Sequence, residues 1–242
     1  MKAIILAAGR GSRMKHLTDE SPKCLLQIKG KPLLEWQLDA LHEADIKEIA
    51  VVTGYKHEML SKYDLVKFHN PNWSETQMVS SLYCASEWLE EEPCLVSYSD
   101  IFYDSTAVES LIESDEEISL TYDSNWLDLW TKRFGDPLLD AETFRIDNEG
   151  FLAEIGKKAM NIEEIEGQYM GLLKFNPGGW IKLKNIFNNL LIEEKNSIHM
   201  TGILQMLIEL RKVKVKPVPY KREWGEFDSI QDLKLLSCKN QI

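Results

Sequence analysis

Gly9, Gly11, Arg13 and Lys23 are the residues whose types and spacing could do chemistry. An apolar run, residues 3–8, breaks at the two glycines, and a polar segment follows with Arg10, Arg13 and Lys15, then Ser21, Pro22 and Lys23. The run reads as a buried strand. A glycine loop leaving the carboxyl end of a strand can turn successive backbone N–H groups toward an anion, and lysine and arginine add charge-assisted bonds. Residues 1–31 hold seven Lys/Arg against two Asp/Glu, in a chain whose formal net charge is -11. Positive charge is therefore gathered beside the first strand, and a phosphate-binding site is the chemistry expected there.

The elements that must position this loop follow from hydrophobic periodicity. Residues 32–44 carry apolar side chains at 33, 34, 38 and 41, with Pro32 at the favoured first position, which predicts a helix. The apolar strand 49–53 then completes a βαβ unit, right-handed with a parallel pair. A third strand is expected at 67–69, and a single helix over 76–91 that ends in an acidic run. After Pro93, residues 94–100 form a strand that delivers Asp100 at its carboxyl end. Helix 105–112 and strand 118–122 come next, while 123–140 is expected to be irregular and aromatic. A hairpin turns at 147–150 between strands 142–146 and 151–155. A strand at 168–175, helices at 177–194 and 201–210, an edge strand at 213–219 marked by Pro217, and a last short helix at 229–237 complete the chain. The fold class expected is α/β: a Rossmann-like three-layer α/β/α domain with a mixed, mostly parallel central sheet and a small hairpin lobe. Residues 1–242 form a single domain in this reading, with a nucleotide-binding half (1–122) and an acceptor-binding, metal-completing half (123–242). Ligands are expected at the carboxyl ends of the strands.

Composition narrows the class. The chain is 44% hydrophobic and 28% charged, as a globular protein is. No apolar run approaches the roughly 20 residues that span a membrane, and no signal peptide is recognisable at the N-terminus. Cys24, Cys84, Cys94 and Cys238 are widely spaced without a CxxC pair, which argues against disulfides or zinc and for reduced thiols in the cytoplasm. The acidic balance argues against a general nucleic-acid binder. The oligomeric state is open, a homodimer among the options.

The better-known glycine motifs do not fit. The loop lacks the Gly-Lys-Ser/Thr ending of an ATPase loop, and Met14 stands where the third glycine of a dinucleotide loop belongs. Strand 49–53 also ends without the acidic residue that a dinucleotide oxidoreductase uses on its ribose. What the segments KAIILAAGRGSRM (2–14) and SPKCLLQIKGKPLLEW (21–36) resemble is the signature of the sugar-1-phosphate and small-alcohol-phosphate nucleotidyltransferases. Asp100 and Asp228 match two later elements of that family, and the resemblance covers essentially the whole chain. It implies that Leu6, Ala7, Ala8, Gly9, Gly11, Ser12 and Arg13 wrap a nucleoside triphosphate. It further implies that Arg13 and Lys23 balance charge as the α-phosphate is attacked, with Asp100 and Asp228 holding Mg²⁺ and sharing the catalytic role. Gln77 and Ser81 fall where the family reads the base.

The chemistry agrees with that assignment. Displacing pyrophosphate needs positioned cations and a divalent ion, and a phosphate nucleophile is already anionic, so no general base is required. The five histidines then need no catalytic role. Hard Mg²⁺ is satisfied by a few carboxylates plus phosphate oxygens. Lys157, Lys158, Glu166, Gly167 and Tyr169 resemble segments that meet the acceptor. Trp126 and Trp130, flanked by Asp123, Asp128, Lys132 and Arg133, could wall a cationic acceptor. The setting EFDSIQD (226–232) resembles the short phosphocholine-type cytidylyltransferases, whose relatives serve cell-surface or capsule modification. The expected reaction transfers CMP from CTP to a small phosphorylated acceptor: phosphocholine, an aminoalkyl phosphonate or an amino-acid-like phosphate. The alternatives are a sugar-1-phosphate nucleotidyltransferase using UTP, dTTP or CTP, and a nucleotide-binding regulator without activity.

Overall fold

The computed structural model describes residues 1–237, so Cys238 lies outside the described residues. Strand β1 (Lys2–Ala7) is buried throughout, with Ala3, Ile5 and Ala7 in one apolar cluster and Ile4, Leu6 and Ala8 in another. Side chains alternate across a strand, so a strand apolar on both faces needs a layer of helices on each. Six further strands extend the sheet: β2 (Ile49–Thr53), β3 (Val66–His69), β4 (Cys94–Tyr98), β5 (Ile118–Asp123), β6 (Gln168–Phe175) and β7 (Val215–Tyr220). Their order is β7-β5-β6-β4-β1-β2-β3. All neighbours are parallel except at β6, which runs antiparallel to β4 and β5. This is the mixed, mostly parallel three-layer sheet expected from the sequence, with Pro217 on the edge strand β7.

Helices α1 (Leu33–Glu43), α4 (Ser105–Ile112) and α5 (Trp126–Phe134) cover the face toward which Ile5 points. Helices α2 (Met78–Tyr83), α3 (Ser86–Glu91), α6 (Pro177–Asn189) and α8 (Met200–Glu209) cover the other. Between α6 and α8 runs the short α7 (Ile192–Ser197), and α9 (Ile230–Ser237) ends the described chain. Among the described residues no helix is long and apolar enough to cross a membrane.

Three expectations are corrected. The stretch 76–91 is two helices, because Cys84 and Ala85 close tight turns onto Ser81 and Leu82 without a glycine or proline to mark the break. The stretch 177–194 also divides, since Leu190 and Leu191 are extended and the Glu194 carboxylate accepts the Leu191 N–H at 2.8 Å to start α7 afresh. Residues 126–134, read as irregular, form α5, whose buried side chains Trp126, Leu129, Trp130 and Arg133 recur at helical spacing. The hairpin stands as expected: Glu142–Ile146 pairs with Leu152–Lys158, and Asp147 accepts the N–H groups of Glu149 and Phe151 in the turn.

Candidate active site

The loop after β1 is built around a glycine that no other residue could replace freely. Gly11 sits at φ 72°, and a Cβ there would lie 2.8 Å from Cδ of Lys23. The close approach lets the Lys23 stem pass beneath the loop. Thr18, fully buried, donates its hydroxyl to the carbonyls of Gly11 and Lys15, and Met14 packs inward, so the turn is braced from below. At the loop's far side the Tyr55 N–H binds the Ala8 carbonyl at 2.9 Å.

Asp100 and Asp228 are 128 residues apart in the sequence and meet for a definable reason. A two-residue antiparallel pairing sets Gly225 and Glu226 against Phe102 and Ile101, and the Phe227 N–H then reaches the Asp100 carbonyl at 2.9 Å. On the other side the amide of Gln37, on α1, donates to the carbonyls of Tyr98 and Ile101 and pins the turn that carries Asp100. Lys23 joins the two: its Nζ is 2.6 Å from Asp100 Oδ2 and 2.6 Å from Asp228 Oδ1. Arg13 Nη1 stands 3.0 Å from Asp228 Oδ2. Lys23 is thus buried between two carboxylates.

A third carboxylate completes the cluster. Oxygens of Asp100, Glu226 and Asp228 lie within 4.8 Å of one another. Burial, then the charges of Asp228 and Asp100, push the Glu226 carboxyl up to about 8. Asp228 moves the other way: burial opposes ionisation, but Lys23 and Arg13 outweigh it and hold the carboxyl below its usual range. For Lys23 burial alone lowers the ammonium's pKa, yet Asp100 and Asp228 more than reverse this. Oδ1 of Asp100 is buried with no hydrogen-bond partner, an arrangement that is costly unless something else binds it.

Two cavities open on this cluster and share Met78 and Tyr98. One, of about 270 Å³, is lined by Leu6, Ala8, Gly9, Gly11, Ser12, Arg13, Lys23, Gln77, Ser81 and Asp100, with Trp73 and Thr76 on its wall. The Ser81 hydroxyl there accepts from the Asn70 amide at 3.0 Å. Ala7 points instead into the core beneath. The other cavity, of about 240 Å³, is lined by Trp130, Asp140, Glu142, Tyr169, Glu226 and Asp228, with Thr201 and His199 also on its wall. A left-handed Gly171 in β6 lies against the Tyr98 ring, which with Tyr169 forms the partition (ring centroids 5.7 Å apart).

Several residues proposed from the sequence for the acceptor are not brought to this second cavity. Trp126 is buried in the core against Trp130. Lys157 and Lys158 stand exposed at the end of the hairpin, Lys157 3.4 Å from Glu209. The Glu166 carboxylate accepts the Ile146 N–H, and Gly167 is packed so closely that a Cβ would meet the Tyr122 ring. The charges flanking the tryptophans are engaged elsewhere: Asp128 pairs with Lys132 one turn on, Asp123 accepts from the Trp224 indole, and Arg133 lies beneath Glu226. Helical periodicity explains this, because it sorts neighbours in sequence onto opposite faces.

The reading of single residues missed Asp140, Glu142, Glu226 and Gln37. Trp130 Nε1 donates to Asp140 Oδ2 at 3.2 Å, and burial raises the carboxyls of both Asp140 and Glu142, the latter bonded to Thr201. The signal for Glu226 was present in its two-residue spacing from Asp228. Strand alternation puts residues i and i+2 on one side.

Comparison with known proteins follows the same lines. The family model of the MobA-like NTP transferase domain matches residues 3–143. Over 251 aligned positions the chain is 39% identical to the CTP:phosphoglutamine cytidylyltransferase of Campylobacter jejuni, covering 97% of this chain and 98% of that one. The inositol-1-phosphate CTP transferase from T. maritima superposes with a TM-score of 0.76 at 19% identity, over 98% of this chain and 94% of its own. The CTP:phosphocholine cytidylyltransferase from Streptococcus pneumoniae gives 0.73 at 22%, over 98% and 97%. At those identities the two structures speak for the fold.

Proposed function

This chain belongs to the MobA-like NTP transferase family, and from that premise we propose that it is a cytidylyltransferase. It transfers CMP from CTP to a small phosphorylated acceptor that carries an ammonium group, of the phosphoglutamine kind, and releases pyrophosphate. The observation that carries this reading is Lys23, held 2.6 Å from both Asp100 and Asp228 where the two cavities meet. Likeness to the Campylobacter cytidylyltransferase along nearly the whole chain supports CTP and the acceptor class.

The triphosphate enters the glycine-loop cavity, where the loop's backbone N–H groups, Arg13 and Lys23 receive its negative charge. An oxygen of the acceptor's phosphate attacks the α-phosphorus in line. A new P–O bond forms, the bond to the β-phosphate oxygen breaks, and pyrophosphate leaves with its electron pair. The nucleophile is already ionised, so these residues orient and neutralise and need not take a proton.

Asp100, Asp228 and Glu226 fit a hard divalent ion: three carboxylates converge and the buried Oδ1 of Asp100 lacks a partner. Bound there, Mg²⁺ would neutralise charge on the phosphate oxygens. The acceptor cavity explains the ammonium. Asp140, Glu142 and Glu226 line it, no lysine or arginine among the described residues does, and the Trp130 ring forms one wall. A bare phosphate is repelled by such a lining. An acceptor with a cationic head enters head first and leaves its phosphate toward Lys23.

The test is a matrix of CTP, UTP and dTTP against phosphoglutamine, phosphocholine, 2-aminoethylphosphonate and hexose 1-phosphates, read by pyrophosphate release. Turnover with CTP and an ammonium-bearing acceptor is expected, and it should stop in chelator. Consumption of a hexose 1-phosphate alone, with UTP or dTTP, would overturn the reading. Activity persisting in chelator would remove the ion.

A further inference from the structure

Arg133 is a charged side chain in an unusual place. It projects from α5 into the interior with its side chain 1% exposed, over the rings of Trp130 and Phe134, whose centroids lie 5.2 and 4.9 Å from its guanidinium carbon. Burying a guanidinium is costly unless its hydrogen bonds are well met. Here Nε donates to Asp232 Oδ1 at 2.9 Å and Nη1 to Glu226 Oε2 at 3.0 Å. The other oxygen of Asp232 accepts three bonds, from the N–H groups of Asp228 at 3.2 Å and Ser229 at 2.8 Å and from the Ser229 hydroxyl at 2.9 Å. The carbonyl of Arg133 itself accepts from the Gln231 amide, which fastens α9 to α5.

We propose that Arg133 is a positioning residue for nucleotidyl transfer, a clamp that holds Glu226 directly and Asp228 through Asp232. The proposal rests on the reading of Asp100, Glu226 and Asp228 as the divalent-ion site. Ionised together, as the binding of a divalent ion requires, three carboxylates within 4.8 Å repel one another and would spread apart if left to themselves. Lys23 compensates them from the nucleotide side and reaches Asp100 and Asp228, but makes no hydrogen bond to Glu226. Arg133 supplies the missing cation from behind. Its planar fork fixes the direction of Glu226 as well as its charge, and a lysine, a point charge with one nitrogen, cannot hold both partners in the same geometry. Trp130, against the guanidinium, lines the acceptor cavity, so one helix carries both an acceptor wall and the clamp of the ion site.

Arg133→Lys and Asp232→Asn test this, each with Lys132→Ala on the exposed face of α5 as control. Bound Mn²⁺ is counted directly by electron paramagnetic resonance, and kcat and KM for CTP are measured at saturating metal. Groups that orient metal ligands typically contribute 10–100-fold to affinity or activity. Both variants should lose about tenfold or more in Mn²⁺ affinity and in kcat while KM for CTP moves less than about threefold. The double variant should lose little more than either single one, because both break the same chain of contacts. Wild-type Mn²⁺ affinity and kcat in the two folded variants would overturn the clamp and leave the ion site standing. So would loss of the far-UV circular dichroism of both, which would make the pair a fold element only. A wild-type protein that binds no Mn²⁺ would overturn the ion site, and the clamp with it.

Discussion

The cavity under the glycine loop takes Gly9, Gly11, Ser12, Arg13 and Lys23 from one stretch of chain. Its neighbour takes Trp130 from a helix, Asp140 and Glu142 from the start of a hairpin, Tyr169 from β6 and Glu226 from a two-residue strand. The first offers cations and backbone donors. The second offers carboxylates and an indole face. They share Tyr98 and flank the cluster around Lys23, so the function proposed above puts an anion on one side and a cation on the other. A site that must take the same triphosphate phosphates can be a short rigid motif, while a site that chooses an acceptor is assembled from elements that can vary separately.

If this division is right, substitutions on the two sides should fail in different constants. Lys23→Met should give the largest effect, a fall in kcat of about 10²–10³-fold, the usual worth of one donor aimed at developing charge. Because Lys23 is buried between Asp100 and Asp228, its loss also leaves two carboxylates less compensated, so the melting temperature should be followed alongside. Turnover equal to wild type would break the comparison at its centre.

Glu142→Gln and Asp140→Asn come next. Each should raise the acceptor's KM by about tenfold or more, the range for a hydrogen bond to a charged group, with KM for CTP unchanged. An equal rise in both constants would mean that the two cavities are not distinct in function. Gly11→Ala should act on the opposite side and more mildly. Its Cβ would press on Lys23, and a left-handed alanine costs about 1–2 kcal/mol. An increase of roughly tenfold in KM for CTP is expected, with the acceptor's KM constant. A displaced acceptor KM instead would show that the loop serves both substrates.

The same contrast explains how much the sequence revealed. The glycine-loop cavity was legible because its residues are neighbours in the chain and their types suit a phosphate: glycines for close backbone approach, arginine and lysine for charge. The sheet was legible because strands buried on both faces read as apolar runs such as 3–8 and 49–53. The acceptor side was not, because α5 alternates between core and surface every few residues. Asp123, Asp128, Lys132 and Arg133 therefore looked like one charged wall around two tryptophans. The helix sends Asp128 and Lys132 to solvent, Arg133 inward to Glu226, and Trp126 into the core. Asp140 and Glu142, which do line the cavity, stand in a stretch with no periodic signal. Helix breaks at Cys84–Ala85 and at Leu190–Leu191 escaped for a related reason, since neither carries a glycine or proline.

A substitution in the frame common to both cavities should disturb neither constant, and Asp104→Ala is the smallest of these effects. Asp104 caps α4, which packs on the sheet face behind β5, β6 and β7, accepting the Thr106 N–H at 2.9 Å and the Thr106 hydroxyl as well. Burial pushes its carboxyl up, but the Thr106 hydroxyl and N–H outweigh that and hold it below the usual range. A carboxyl depressed in the folded state stabilises above its unfolded value, near 3.9, and that contribution fades as pH falls through the lower folded one. The variant should therefore lose about 1 kcal/mol at neutral pH, typical of a helix cap, or roughly 2–4 °C in melting temperature for a chain of this length. Its deficit against wild type should shrink below about pH 4. Thermal melts from pH 7 to pH 3 would show the convergence, and kcat with both KM values should match wild type throughout the stable range. A shift in the acceptor's KM alone would mean that α4 transmits to one cavity and not the other. The frame would then belong to the acceptor side, leaving the glycine loop as the only part of the site that holds its shape independently.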